Sequence, residues 1–271
     1  MCKGVITRPE TLHISYVHHQ NKFLTYYETP DDWKRNFFKR LYGYIVGTPL
    51  RMWDFIGSQR PDILVANSQE TRRRINKYYR RDAEVIYPPV RDPEIKLKEK
   101  WKVTEDYYIN VNRLSPPKHV EVLVEAANKT GVTLYIVGGG SQLEHLKKLA
   151  KKNVIFTGEI SDIELSRLYM GAKGFLFASQ DEEFGIAPVE AMMYGIPVIA
   201  LKSGGLKETV KDGVNGYLVE NLDASEFATA IRRMEKEKDF SKMSLNAFNE
   251  AKKYTTQAFT TNILQLIAKH I

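Results

Sequence analysis

The sequence predicts an α/β protein. A doubly wound parallel-sheet C-terminal domain follows a shorter, incomplete N-terminal domain of the same kind. Two observations carry this prediction. From about residue 106 onward, short β-branched runs alternate with helical patterns, the signature of βαβ units. Residues 182–216 then bring a strand-like tail, a glycine turn and a helix start in succession. That order suits a phosphate-binding edge of a parallel sheet. The chain is 271 residues long and 43% hydrophobic, with 15 Tyr and 12 Phe, so it can bury a sizeable core.

Taken in order, residues 12–18 (LHISYVH) and 62–68 (DILVANS) read as strands. Between them lies an aromatic, basic stretch over 31–57, and residues 69–80 read as a basic helix. Val85-Ile86-Tyr87-Pro88-Pro89-Val90 reads as a proline-stiffened linker. Strand runs follow at 107–113, 133–138, 154–157, 174–178 and 197–201. Helical spacing joins Leu143, Leu146 and Leu149, then Leu165, Leu168 and Tyr169, then Phe227, Ile231 and Met234. A last amphipathic helix carries Phe259, Ile263, Leu266 and Ile267. The expected division is 1–88, 89–255 and a C-terminal helix, 256–271, packing back on the first part.

Cys2 is the single cysteine, which excludes an intramolecular disulfide framework and a cysteine zinc site. The net charge of +7 suits phosphate-rich partners. No apolar run approaches the roughly 20 residues that span a bilayer, and Met1-Cys2-Lys3-Gly4 opens no secretory leader. The expectation is a cytoplasmic protein, peripheral on the inner membrane face. Residues 33–45 (WKRNFFKRLYGYI) support that as a basic amphipathic helix. The alternative is that its apolar face packs inside the N-terminal domain. No nucleic-acid module pattern is present, and no nucleic-acid partner is expected.

Glu182 and Glu190 bracket a Gly-Ile-Ala-Pro turn. Pro188 suits the first turn of a helix, where no amide donor is needed. Glu190 is then expected in that first turn. The amides of Ile186 and Ala187 would be left to face an anion. A carboxylate there can accept both hydroxyls of a ribose, and Glu182 can accept a sugar hydroxyl. The alternative is a dipole-complementing Glu190 and an acidic surface run, Asp181-Glu182-Glu183. Arg113 and Lys118 follow the first strand of this domain, where two cations can hold a diphosphate. Gly138-Gly139-Gly140 reads as a tight turn. Gly204-Gly205 reads as a site of close ligand approach or a flexible loop.

In this order and spacing, the chain resembles the family-4 glycosyltransferases of the GT-B fold. The resemblance runs through RL-x3-K at Arg113–Lys118, the glycine turn at 138–140 and FTGEISDIEL at 156–165. It continues through E-x7-E at Glu182–Glu190 and GG-x2-E at Gly204–Glu208. FGIAPVEAM is similar to a mannosyl- and rhamnosyl-type branch. The resemblance implies that Arg113 and Lys118 hold the donor diphosphate, Glu190 the ribose and Glu182 the transferred sugar. It further implies sugar and phosphate contacts from Gly185, Ile186 and Ala187, a donor contact at Gly139, and base contacts from Gly158, Glu159 and Ile160. His18, in Ser15-Tyr16-Val17-His18, would lie beside the reacting sugar. The implied reaction is a retaining transfer of a mannose-like hexose. The donor is a nucleotide sugar, GDP-mannose first and a UDP-sugar second, and the acceptor is a glycan or lipid-linked. With no DxD at a strand end, neither metal nor cofactor is expected.

The N-terminal part departs from that pattern, because nothing before His13 supplies the glycine loop of a complete acceptor domain. The expected consequence is an N-terminally truncated chain. The competing reading is a non-catalytic nucleotide-sugar-binding subunit that needs a partner subunit.

Overall fold

The computed structural model describes residues 2–22, 24–25, 37–91, 93 and 106–271. It divides into two compact units, Met1–Tyr87 with Phe259–Ile271, and Pro88–Ala258.

The first unit holds three parallel strands, β1 (Ile14–Val17), β2 (Ile63–Ala66) and β3 (Glu84–Val85), in the order β1-β2-β3. Its helices are α1 (Phe37–Ser58), α2 (Gln69–Tyr79) and most of α10 (Thr256–Ala268). Ser68 caps α2 by accepting from the Thr71 amide. Val17, Leu64, Ile75 and Tyr79 fill one core. Phe259, Ile263 and Leu266 of α10 cover Val65 and Ile86 in a second. Inside α2, Glu70 accepts from Arg74 at 2.7 Å, and the Arg74 side chain is only 1% exposed.

The basic stretch is helical from Phe37, and residues 33–36 lie outside the described residues. Its apolar face is not packed inward as the second expectation had it. α1 turns Gly43, Gly47, Asp54, Gly57 and Ser58 inward. Phe38, Leu41, Tyr42, Ile45, Met52 and Ile56 stay exposed, Phe38 at 78%. At 3.6 residues per turn these fall within about half of the helix circumference, and no charged residue lies among them. Among the described residues, no strand pairs with the outer edge of β1.

The second unit builds a six-stranded parallel sheet. Its strands are β4 (Tyr107–Val111), β5 (Thr133–Val137), β6 (Val154–Gly158), β7 (Gly174–Phe177), β8 (Val198–Leu201) and β9 (Gly216–Val219). They are ordered β6-β5-β4-β7-β8-β9. The strand order therefore reverses between β4 and β7, and a sheet of this kind binds ligands outside its carboxyl edge at that point. β7 and β8 are buried along their whole length, as continuous apolar runs in a two-sided parallel sheet are. The helices are α3 (Val120–Thr130), α4 (Leu143–Leu149), α5 (Asp162–Gly171), α6 (Ile186–Met193), α7 (Leu206–Thr209), α8 (Ala224–Glu235) and α9 (Phe240–Ala251). Ser161 and Glu164 close a capping box on α5. Leu123, Leu134, Ile136, Leu176, Ile199, Phe227 and Ile231 form the principal core.

Charge separates with the fold. The first unit carries 16 Lys and Arg against 9 Asp and Glu, the whole of the chain's +7. The second carries 24 of each and is neutral.

Candidate active site

The loops that leave β4, β5 and β6 are tied to one another past the ends of their strands. Asn112 N donates to Val137 O at 3.1 Å, Leu114 N to Gly139 O at 2.9 Å, and Gly138 N to Gly158 O at 2.8 Å. These bonds bring Arg113, Gly139 and Gly158-Glu159-Ile160 to one edge. A Cβ at Gly138 would sit 2.1 Å from Asn112 O, so only glycine allows this approach. Arg113 is exposed, and its side chain has no hydrogen bond or ion pair among the described residues.

Across the switch point, the loop after β7 meets the loop after β8. Gly205 N donates to Glu182 O at 2.8 Å, and Asp181 N to Ser203 Oγ at 2.9 Å. A Cβ at Gly204 would lie 2.0 Å from Glu182 O. Gly204 is thus the contact through which two protein loops interlock. The sequence reading of this pair as a ligand approach or a flexible loop missed that packing role. Gln180 N reaches Pro117 O at 3.4 Å and joins the two halves of the edge.

Lys118 and Glu182 lie together there. Lys118 Nζ is 2.6 Å from Glu182 Oε2, and Ser179 Oγ donates to the same oxygen at 2.7 Å. The cation assigned to a diphosphate and the carboxylate assigned to a sugar are therefore neighbours that hold each other in place. His18 belongs to the other unit, where it is exposed and its ring meets Tyr16 edge-on at 5.0 Å.

α6 begins after Gly185, whose φ of +85° places it in the left-handed region. Pro188 occupies the third helical position, so the free donors of the first turn are the amides of Ile186 and Ala187. Ile186 is exposed. Glu190 is the fifth residue of the helix and stands in its second turn, one turn deeper than the sequence suggested. It therefore stands apart from the helix-terminal amides and faces a separate cavity.

That cavity is about 60 Å³, lined by Arg91, Asp162, Leu165, Ser166, Tyr169, Glu190 and Tyr194. It has room for a few waters or the hydroxyl edge of a sugar, not for a base. Burial pushes the Glu190 carboxyl above the usual range. Arg91 opposes that rise and Asp162 adds to it. Arg91 itself pairs with Asp162. Ser166 Oγ and Tyr194 Oη share a hydrogen bond at 2.7 Å. The Tyr169 hydroxyl is buried without a partner.

Sequence reasoning missed Ser179, Tyr169 and Tyr194. Tyr194 lies four residues after Glu190, so helical spacing alone could have placed both on one face. Tyr169 had counted only as an apolar position of its helix. Ser179 carried no pattern.

A reversed strand order, free helix amides, an arginine without a side-chain partner among the described residues and a half-buried carboxylate at one edge mark a parallel α/β domain of the doubly wound class. The family model of glycosyl transferases group 1 matches residues 91–254, and the chain belongs to that family. It carries a glycosyltransferase domain. It is 31% identical over 156 residues to a GDP-mannose-dependent alpha-mannosyltransferase of Corynebacterium glutamicum, covering 57% of this chain and 38% of that protein. It is 28% identical over 189 residues to the sulfoquinovosyl transferase SQD2 of Arabidopsis thaliana, covering 67% and 37%. The chain thus spans well under half the length of these two relatives. Among solved structures, Anabaena Alr3699/HepE in complex with UDP-glucose superposes with a TM-score of 0.75 at 22% identity, covering 94% of this chain and 72% of that one. Sucrose-phosphate synthase from Thermosynechococcus elongatus superposes at 0.74 and 21% identity, covering 94% and 67%. The fold is of the GT-B class.

Proposed function

We propose that the chain binds a nucleoside-diphosphate hexose at the carboxyl edge of its second unit and serves transfer of that hexose with retention of configuration. The observation that carries this reading is the convergence at one switch point of Arg113, the Lys118–Glu182 pair, the Ile186 and Ala187 amides and the Glu190 cavity. The amides, Arg113 and Lys118 take the diphosphate and stabilise its negative charge. Glu190 takes the ribose hydroxyls. Gly139 and residues 158–160 approach the base and sugar largely through backbone. Glu182, once its bond from Lys118 is shared with a phosphate, accepts from the transferred sugar. His18 serves the acceptor side. The anomeric carbon bonds to the acceptor oxygen as its bond to the diphosphate breaks, and the acceptor proton leaves with the diphosphate.

GDP-mannose is the favoured donor, supported by the mannosyltransferase relatives, and a UDP-sugar is the second. The acceptor is a glycan or lipid-linked. Calorimetric titration with GDP, UDP, ADP and their sugar conjugates, without metal, tests the reading. Saturable binding of one nucleotide supports it, and no binding of any overturns it.

A specific observation favours a second reading, in which the chain is a nucleotide-sugar-binding subunit that a partner polypeptide completes. The charge-free face of α1 and the unpaired edge of β1 both belong to the first unit. A polypeptide can cover the one and hydrogen-bond the other, whereas a bilayer satisfies only an apolar face. The net +7 of that unit speaks for an anionic surface instead, in keeping with a peripheral place on the inner face of a cytoplasmic membrane. Flotation with phosphatidylglycerol vesicles separates the two. Salt-sensitive binding supports the membrane. Nucleotide binding without flotation, hydrolysis or transfer supports the subunit.

A further inference from the structure

Among the described residues, all but two polar groups of the side chains that line the cavity beside α6 have a hydrogen-bond partner. Ser166 and Tyr194 hold each other, and Arg91 holds Asp162. The two without partners are the Glu190 carboxylate and the Tyr169 hydroxyl. They are chemically complementary, a bare acceptor and a donor. Tyr169 is 3% exposed, and a buried hydroxyl left unpaired is rare and calls for a reason. Packing does not supply one. The Tyr169 ring stacks against Phe175 and Tyr194 at centroid distances of 6.3 and 5.0 Å, contacts that phenylalanine would make equally well.

We propose that Tyr169 is a positioning residue for the nucleotide ribose: with the nucleotide in place, its hydroxyl donates to the Glu190 carboxylate and fixes the rotamer that accepts the two ribose hydroxyls. The inference rests on the donor-binding reading above. A carboxylate at the wall of a cavity this small has few directions open to it. Accepting from one side by Tyr169 leaves its remaining lone pairs turned to the open side, where a ribose edge enters. A hydrogen bond to the charged form also favours that form. The other groups facing Glu190 are Arg91, which favours its charge, Asp162, which opposes it, and the neutral Tyr194.

The test is calorimetry with whichever of GDP, UDP or ADP wild type binds best, alongside its 2′-deoxy form and inorganic diphosphate. Tyr169→Phe is expected to weaken ribonucleotide binding about tenfold, the scale of one hydrogen bond to a charged group. Inorganic diphosphate binding stays unchanged, and the loss shrinks with the 2′-deoxy nucleotide. Wild-type affinity is expected to fall as pH drops through the Glu190 carboxyl range, and in the variant that fall is shallower, because the complex no longer favours the charged carboxylate through that bond. Wild type alone is expected to prefer the ribonucleotide over its 2′-deoxy form, a readout independent of how the variant folds. Equal ribonucleotide affinity and an unmoved pH profile in Tyr169→Phe, with or without a lowered melting temperature, overturn the assignment. Failure of wild type to bind any nucleotide overturns instead the donor-site reading beneath it.

Discussion

The two units bury their surfaces by different means. The second is electrically neutral, seals an apolar core around a six-stranded sheet and sets the exposed Arg113 and the half-buried Glu190 at one edge. The first holds all of the net charge, threads the Glu70–Arg74 ion pair through its interior and leaves the large residues of its longest helix uncovered. The contrast teaches that one chain can join a unit whose apolar surface is sealed to a unit whose longest helix keeps large apolar side chains exposed.

The largest effect should come at the edge of the neutral unit. Glu190→Ala is expected to lower nucleotide affinity more than about a hundredfold, since two hydrogen bonds to a charged acceptor disappear. Unchanged affinity by calorimetry would break the assignment of function to that edge. In the basic unit, Glu70→Ala removes the 2.7 Å hydrogen bond to the buried Arg74 guanidinium and should cost about 1.5–3 kcal/mol of stability in urea unfolding, the scale of one hydrogen bond to a charged group. Burial alone would raise the Glu70 carboxyl, but hydrogen bonds from Arg73 and Arg74 outweigh it and hold the group low.

Smaller effects sharpen the comparison. Arg113→Ala should weaken binding about tenfold or somewhat more, as loss of one charge-assisted contact does, without moving the melting temperature. Glu190→Gln separates stability from binding. The folded carboxyl is raised, so the native state holds its proton longer than the unfolded chain. Wild-type stability therefore falls as pH rises from the unfolded carboxyl pKa through the folded one. The glutamine variant lacks that fall, so its melting temperature should gain on wild type as pH rises above the unfolded carboxyl pKa. The smallest expected effect is that of Ile45→Asp on α1, which should leave nucleotide affinity unchanged while reducing self-association or vesicle binding. A change in affinity would show that the two units do not work separately.

Legibility in the sequence followed the same division. The runs of β4, β7 and β8 announced themselves because a parallel strand buried on both faces is nearly continuously hydrophobic, and β5 and β6 through their β-branched and aromatic residues. β9 was missed because Gly216-Tyr217-Leu218-Val219 trails a glycine-rich turn and reads as part of it. β3 is two residues long, too short to show a period. α3 went unnoticed although Val120, Leu123, Val124 and Ala127 keep helical spacing. α1 runs beyond the 33–45 read from the sequence and continues through Pro49, exposed at the surface where water can serve the carbonyl it leaves unbonded. Of the site, Arg113, Lys118, Glu182 and Glu190 were legible as charges beside turns. Lys118 pairing with Glu182, and Tyr169 sharing a cavity with Glu190, arise from neighbours 64 and 21 positions apart, which no local pattern reports.

The interlocked loops have a consequence for how such a protein changes over time. At Gly138 and Gly204 the neighbouring carbonyl occupies the space a methyl group would need, so the path of the backbone along the edge cannot drift one loop at a time. Arg113 and Glu159 stand on that fixed path as exposed side chains. Side chains on that path can therefore be exchanged without disturbing it, while the course of the backbone itself is inherited almost unaltered.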